Sequence, residues 1–126
     1  MAQARPTLPS NYGGSDNTIP SQVLTTNFTS APLNVVHFQY FTLQVNWGTN
    51  AAGGSAITGT SNATVQLQGS LDGINFSNIS GALITISGVS GTTLNTPAIF
   101  NVSWIQLVVT ANGVTGGNIE AFVGVR

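Results

Sequence analysis

The chain of 126 residues has no cysteine, no lysine and one histidine, His37. Without cysteine there are no structural disulfides, zinc-thiolate sites, iron–sulfur clusters or cysteine nucleophiles. Charge is as scarce: only Arg5, Asp16, Asp72, Glu120 and Arg126 carry it, 4% of the chain against an ordinary share of about 25%. Proteins that bind nucleic acid cluster Lys and Arg to neutralise phosphates, whereas these two arginines stand at opposite ends of the sequence. No stretch reaches the length of a membrane helix, and residues 2–10 offer one arginine and two prolines rather than the basic and apolar regions of a secretory signal. The expectation is a protein that binds neither nucleic acid nor membrane.

Chemistry is equally thin. His37 lies in an apolar stretch with no visible partner, which is the setting of a packing residue rather than a base. Of the three carboxylates, Asp72 reads as a turn former and Glu120 as the exposed residue of an alternating strand. A two-carboxylate glycosidase built on Asp72 and Glu120 would need pocket groups that the sequence does not advertise, and a lone Asp72 is a poor nucleus for calcium. The expectation is no enzyme, no metal and no cofactor.

Polar uncharged residues and alternating strands make up the remainder. In 65–76, VQLQGSLDGINF, Val65, Leu67 and Leu71 share one parity while Gln66, Gln68 and Ser70 share the other, the period of a half-buried strand. Asp72-Gly73 then predicts a turn that tolerates positive φ and sends Ile74 and Phe76 back toward the apolar side. In 35–47, Phe41, Leu43, Val45 and Trp47 form one face while Val36, Phe38 and Tyr40 fall on the other, which implies a bulge near Gln39 or burial on both faces. Residues 48–62 read as a long surface loop and a candidate contact loop. Strands follow at 83–87, at 102–110 (with Trp104 and Val108 opposite Ile105, Leu107 and Val109) and, after an Asn112-Gly113 turn, at 119–125.

Before residue 34 the pattern changes. Pro6, Pro9, Pro20 and Pro32 with Gly13-Gly14 leave no periodic segment, so 1–33 reads as an extended N-terminal arm and 34–126 as the domain. Leu8, Tyr12, Ile19 and Phe28 are spaced apolar anchors in that arm and form a candidate interface, ordered by a neighbouring subunit or a shell surface rather than by its own domain. With no capped segment of period 3.6, the fold class is all-β: an antiparallel β-sandwich, jelly-roll-like, with an extended N-terminal arm.

Two function classes follow. A coat of Ser, Thr, Asn, Gln and Gly at net charge −1 suits a protein packed among neighbours better than a solitary soluble one. The stretches VQLQGSLDGINFSNISG, TISGVSG and WIQLVVTANGVTGGNIEAFV are similar to small β-sandwich proteins of tailed-bacteriophage virions, over roughly residues 41–125. That resemblance implies a virion structural protein: a capsid decoration or cement protein on the shell surface, bound to the major capsid protein or another virion protein, and a homo-oligomer with a trimer favoured. Phe76 stands at the expected aromatic position, and Ile105-Gln106 replaces a basic residue common in similar sequences. The second class is a carbohydrate-binding module or adhesin-like fibre component, with a glycan stacked on Trp47 or Trp104; a related Q-x-S-x-D-G-x-x-W pattern, with Phe76 at the last position here, is also similar to discoidin-type sugar-binding sandwiches.

Overall fold

A computed structural model describes residues 13–58, 63–114 and 116–126. Among the described residues nine strands follow one another: β1 (Gly14–Val23), β2 (Phe28–Thr29), β3 (Leu33–Asn34), β4 (Phe41–Trp47), β5 (Ala63–Ser70), β6 (Ser77–Ile86), β7 (Gly91–Asn95), β8 (Trp104–Ala111) and β9 (Asn118–Val125). They form two antiparallel sheets, β1-β9-β4-β7 and β2-β8-β5-β6, with β3 also pairing β8. Counting β2 and β3 as one strand interrupted at Pro32, every connection except β5–β6 crosses from one sheet to the other. This is the order of a jelly roll, the double-sheet solution to packing an all-antiparallel chain.

The alternating segments bury the faces their pattern implies. Leu43 and Val45 of β4, Val65 and Leu67 of β5, Ile105, Leu107 and Val109 of β8, and Ile119 and Val123 of β9 are all fully enclosed between the sheets. The two tryptophans differ: Trp47 is buried in the core and donates its indole N–H to the Ser87 carbonyl, whereas Trp104 is half-buried on the opposite parity to the inward Ile105, Leu107 and Val109.

Four local expectations are corrected. Residues 35–40 are neither bulged strand nor doubly covered strand: the Asn34 side chain accepts a hydrogen bond from Val36 N–H at 3.1 Å and the Phe38 N–H closes on the Val35 carbonyl at 2.9 Å. The chain therefore turns, leaving Val35 and Phe38 buried while Val36, His37 and Tyr40 are exposed, and His37 is no packing residue. Leu71 does not share the fate of Val65 and Leu67, because the strand ends at Ser70; Leu71 and Ile74 are 75% and 81% exposed, and only Phe76 is partly covered. Glu120 is buried rather than exposed, accepting a bond from Asn46 Nδ2 at 2.8 Å. The described part of the 48–62 loop is anchored by buried Ala51 and Ile57, with Ile57 N–H bonded to the Val89 carbonyl.

The stretch before residue 34 also differs from an arm. From Gly14 onward it is built into the jelly roll: β1 lies along β9, and Ile19, Leu24 and Leu33 are buried in the core, with Phe28 packed against it. Register shifts on both sides of Ile19, together with Pro20, disguise β1 in the sequence by breaking its alternation. Leu8 and Tyr12 lie outside the described residues.

Gln66 holds an unforeseen position. Between its pair with Leu83 and the next pair, Gln68 with Asn78, β6 carries extra residues that bulge outward, with Gly81 at φ 76°. The Gln66 amide nitrogen fills the bulge, 2.8 Å from the Leu67 carbonyl and 3.2 Å from those of Ile79 and Ala82.

Three stability measurements follow from these contacts. Leu67→Ala is expected to cost about 2–5 kcal/mol as a core truncation, and Gln66→Ala about 1–3 kcal/mol because it strands carbonyls in the bulge. A denaturant midpoint unmoved by Gln66→Ala would show that the plug carries no stability. Deleting residues 1–20 removes most of β1 and with it Ile19, so the melting temperature should drop well below that of the full chain; an unchanged transition would mean that β1 contributes nothing to the fold.

Candidate functional site

The antiparallel order gathers three connections, 35–40, 71–76 and 96–103, at the end of the jelly roll where β5 finishes and β8 begins. They are tied to each other through the backbone: Ser103 N–H bonds the Ser70 carbonyl at 3.0 Å, Val35 N–H the Ser103 carbonyl at 2.8 Å, and Phe100 N–H the Gln39 carbonyl at 3.4 Å. Phe41 and Phe100 stack at 4.4 Å with an 11° interplanar angle. This packing fixes the third connection against β4.

The 71–76 connection is organised by Ser70 and Asp72. Ser70 Oγ accepts the N–H groups of Asp72 and Gly73 and donates to Asp72 Oδ1 at 2.8 Å. The same Oδ1 accepts from Ile74 N–H and Asn75 N–H, both at 2.8 Å, while Oδ2 accepts from Asn75 Nδ2 at 2.9 Å. Bonds to the Asn75 and Ile74 backbone, then to the Asn75 and Ser70 side chains, hold the Asp72 carboxyl far below the ordinary carboxylate range. Gly73 sits at φ 75°, and a Cβ there would lie 3.1 Å from the Trp104 indole nitrogen. The corner therefore needs glycine twice over, for conformation and for space.

The result is a rigid pedestal bearing two outward apolar side chains, Leu71 and Ile74. Val36 and Ile99 project from the neighbouring connections with 50% and 60% exposure. Beside them Tyr40 lies under the Arg126 guanidinium, 5.2 Å from ring centre, a cation–π contact. A groove of about 300 Å³ opens there, lined among others by Tyr40, Phe41, Thr96, Pro97, Val125 and Arg126.

Of the residues singled out in the sequence, Asp72 and Gly73 form this corner, whereas Ile19 and Phe28 pack into the core away from it. Asp72 and Glu120 are not brought together: Glu120 lies near the opposite end, paired across from Asn46 one residue before Trp47 closes β4. Among the described residues no three His, Asp or Glu side chains gather as a metal site. Sequence reasoning missed Val36, Tyr40 and Ile99 as surface residues; the Asn34 and Pro97 turn signals beside them were the available clue. In comparison with known proteins, the chain matches no family model, no curated protein and no solved structure.

Replacing Gly73 by Val should destabilise the fold by about 1–3 kcal/mol, through positive φ and the Trp104 contact. The Asp72 bonds predict a pH dependence of definite sign. A carboxyl whose folded pKa lies below its unfolded value of about 3.9 stabilises fully above that value and loses the contribution as pH falls through the folded pKa. The difference in melting temperature between the natural protein and Asp72→Asn should accordingly be constant near neutrality and shrink only in strong acid; a difference that vanishes already at pH 5 would contradict the arrangement.

Proposed function

We propose that the protein is a non-enzymatic structural component of a bacteriophage virion, a capsid decoration or cement protein that attaches to the shell through the end formed by its three knit connections. One observation carries the reading. Of the nine large apolar side chains exposed among the described residues, five (Val36, Tyr40, Leu71, Ile74 and Ile99) lie in or at the close of these connections. Scattered exposed apolar residues are ordinary, but their concentration on one surface marks an interaction site.

The remaining features support the same role. Leu71 and Ile74 are presented by a corner already fixed by hydrogen bonds, so little conformational entropy is lost when they dock. Scarce charge fits a contact whose centre is apolar and desolvated. Jelly rolls serve viral capsid and lectin domains alike, and fold alone does not choose between them; the similarity of VQLQGSLDGINF and WIQLVVTANG to virion sandwiches favours the first. In this reading the partner is the major capsid protein or another virion protein, the location is the capsid surface, and the chain acts as a homo-oligomer, with a trimer following from the three-fold positions such proteins occupy. For the glycan reading, Trp47 is enclosed and offers no stacking face, which leaves half-buried Trp104, beside Gly73, as its one tryptophan candidate.

The test is attachment to purified particles that lack the protein. Ile74→Ser with Leu71→Ser should weaken attachment by about 2 kcal/mol or more, the scale of interface anchors, without lowering the melting temperature. Leu94→Ser, at another exposed apolar position, on β7, should leave attachment intact. Equal binding by all variants would remove the proposal.

A further inference from the structure

The chain contains one Asn-Gly pair, Asn112-Gly113, and one Asp-Gly pair, Asp72-Gly73, and the structure treats them in opposite ways. Both sequences are chemically prone to the same ring closure, because glycine has no side chain of its own to hinder attack by its nitrogen on the side-chain carbonyl carbon of the preceding residue. What decides the outcome is whether the nitrogen and the side chain are free to meet.

At Asp72-Gly73 they are not. The Gly73 N–H donates to Ser70 Oγ at 2.9 Å, and both carboxylate oxygens are held, Oδ1 by Ser70, Ile74 and Asn75 and Oδ2 by Asn75 Nδ2. An ionised carboxylate is moreover a poor electrophile. At Asn112-Gly113, in the connection between β8 and β9, both residues are exposed, and among the described residues neither the Asn112 amide nor the Gly113 N–H has a hydrogen-bond partner. Gly113 lies at φ 78°, at the tip of the turn beyond Ala111.

We propose that Asn112 is a site of spontaneous deamidation in the folded protein, whereas the Ser70–Asp72 corner protects the Asp-Gly pair from the equivalent rearrangement. The Gly113 backbone nitrogen, losing its proton to hydroxide, attacks Asn112 Cγ; the new C–N bond forms as the side-chain amide nitrogen departs with a proton as ammonia. Water then opens the resulting succinimide at either carbonyl. One opening yields aspartate, and the other yields isoaspartate, in which the main chain runs through Cβ. Either product adds one carboxylate, taking the net charge from −1 to −2. The isoaspartate also lengthens the turn next to Val114, which is buried in the core.

The experiment is incubation of the folded full chain at mildly alkaline pH, followed by peptide mapping and labelling with protein isoaspartyl methyltransferase. The expected result is modification at Asn112 ahead of the other exposed asparagines, Asn27, Asn50, Asn75, Asn78 and Asn101, with no isoaspartate at Asp72. Asn112→Gln should abolish the 112 product, and Ser70→Ala, by freeing the Gly73 nitrogen, should make isoaspartate appear at 72. In urea both pairs should react. Asn112 modified no faster than the other exposed asparagines in the folded protein would overturn the proposal, as would isoaspartate at Asp72 in the unaltered chain; the mapping on natural protein decides this even if a variant fails to fold.

Discussion

The ladder between β5 and β8 is the constraint on which the molecule depends. It runs from Ala63 opposite Ala111 to Ser70 opposite Trp104 without a register shift. Because side chains alternate along both strands, this single register sets Val65, Leu67, Leu107 and Val109 toward the other sheet together, and a slip of one residue would expose them all. The same register brings Ser70 beside Trp104, so the strand that ends in the Asp72 corner finishes against the indole that braces Gly73. Core and loop end are therefore consequences of one alignment.

That alignment is long-range, and so are nearly all the others: β1 pairs with β9, β4 with β7 and β9, and β2 and β3 with β8. Only β5 and β6 form a hairpin in which strands adjacent in sequence pair. Closing such loops costs entropy before contacts repay it, which places the protein among slowly folding topologies. A hairpin that forms locally and carries its own Ser70–Asp72–Asn75 lock is well suited to hold one sheet edge while the rest assembles.

The inward faces of β4, β5, β8 and β9 were legible because regular strands convert alternation directly into burial: Phe41, Leu43, Val45, Ile105, Leu107, Ile119 and Val123 all went where their parity pointed. Failures arose where a side chain redirected the backbone. Asn34 turns the chain before Tyr40, so the opposite parity of Val36 and Tyr40 recorded exposure and not a second buried face. The periodic reading carried Leu71 one residue past the strand, although Ser70 had already begun the corner. β1 was hidden because its register breaks on either side of Ile19. Asp72-Gly73 was legible as a turn, but its neighbours Val36, Tyr40 and Ile99 were not legible as companions, since their proximity is made by topology alone.

The free margins of the two sheets bear on how the molecule behaves at high concentration. An open strand invites pairing with another chain, and many proteins repel such pairing with lysine, a residue absent here. The deterrents are geometric instead: β1 is broken by Pro20 and two register shifts, β2 and β3 are two residues each and parted by Pro32, β6 bulges at Gly81, and β7 is only five residues long and tied to β6 through Asn95 and the Leu83 carbonyl. Electrostatic deterrents fade as ionic strength rises. Shape does not, so brine and dilute buffer should find these margins equally unwelcoming to a stray strand.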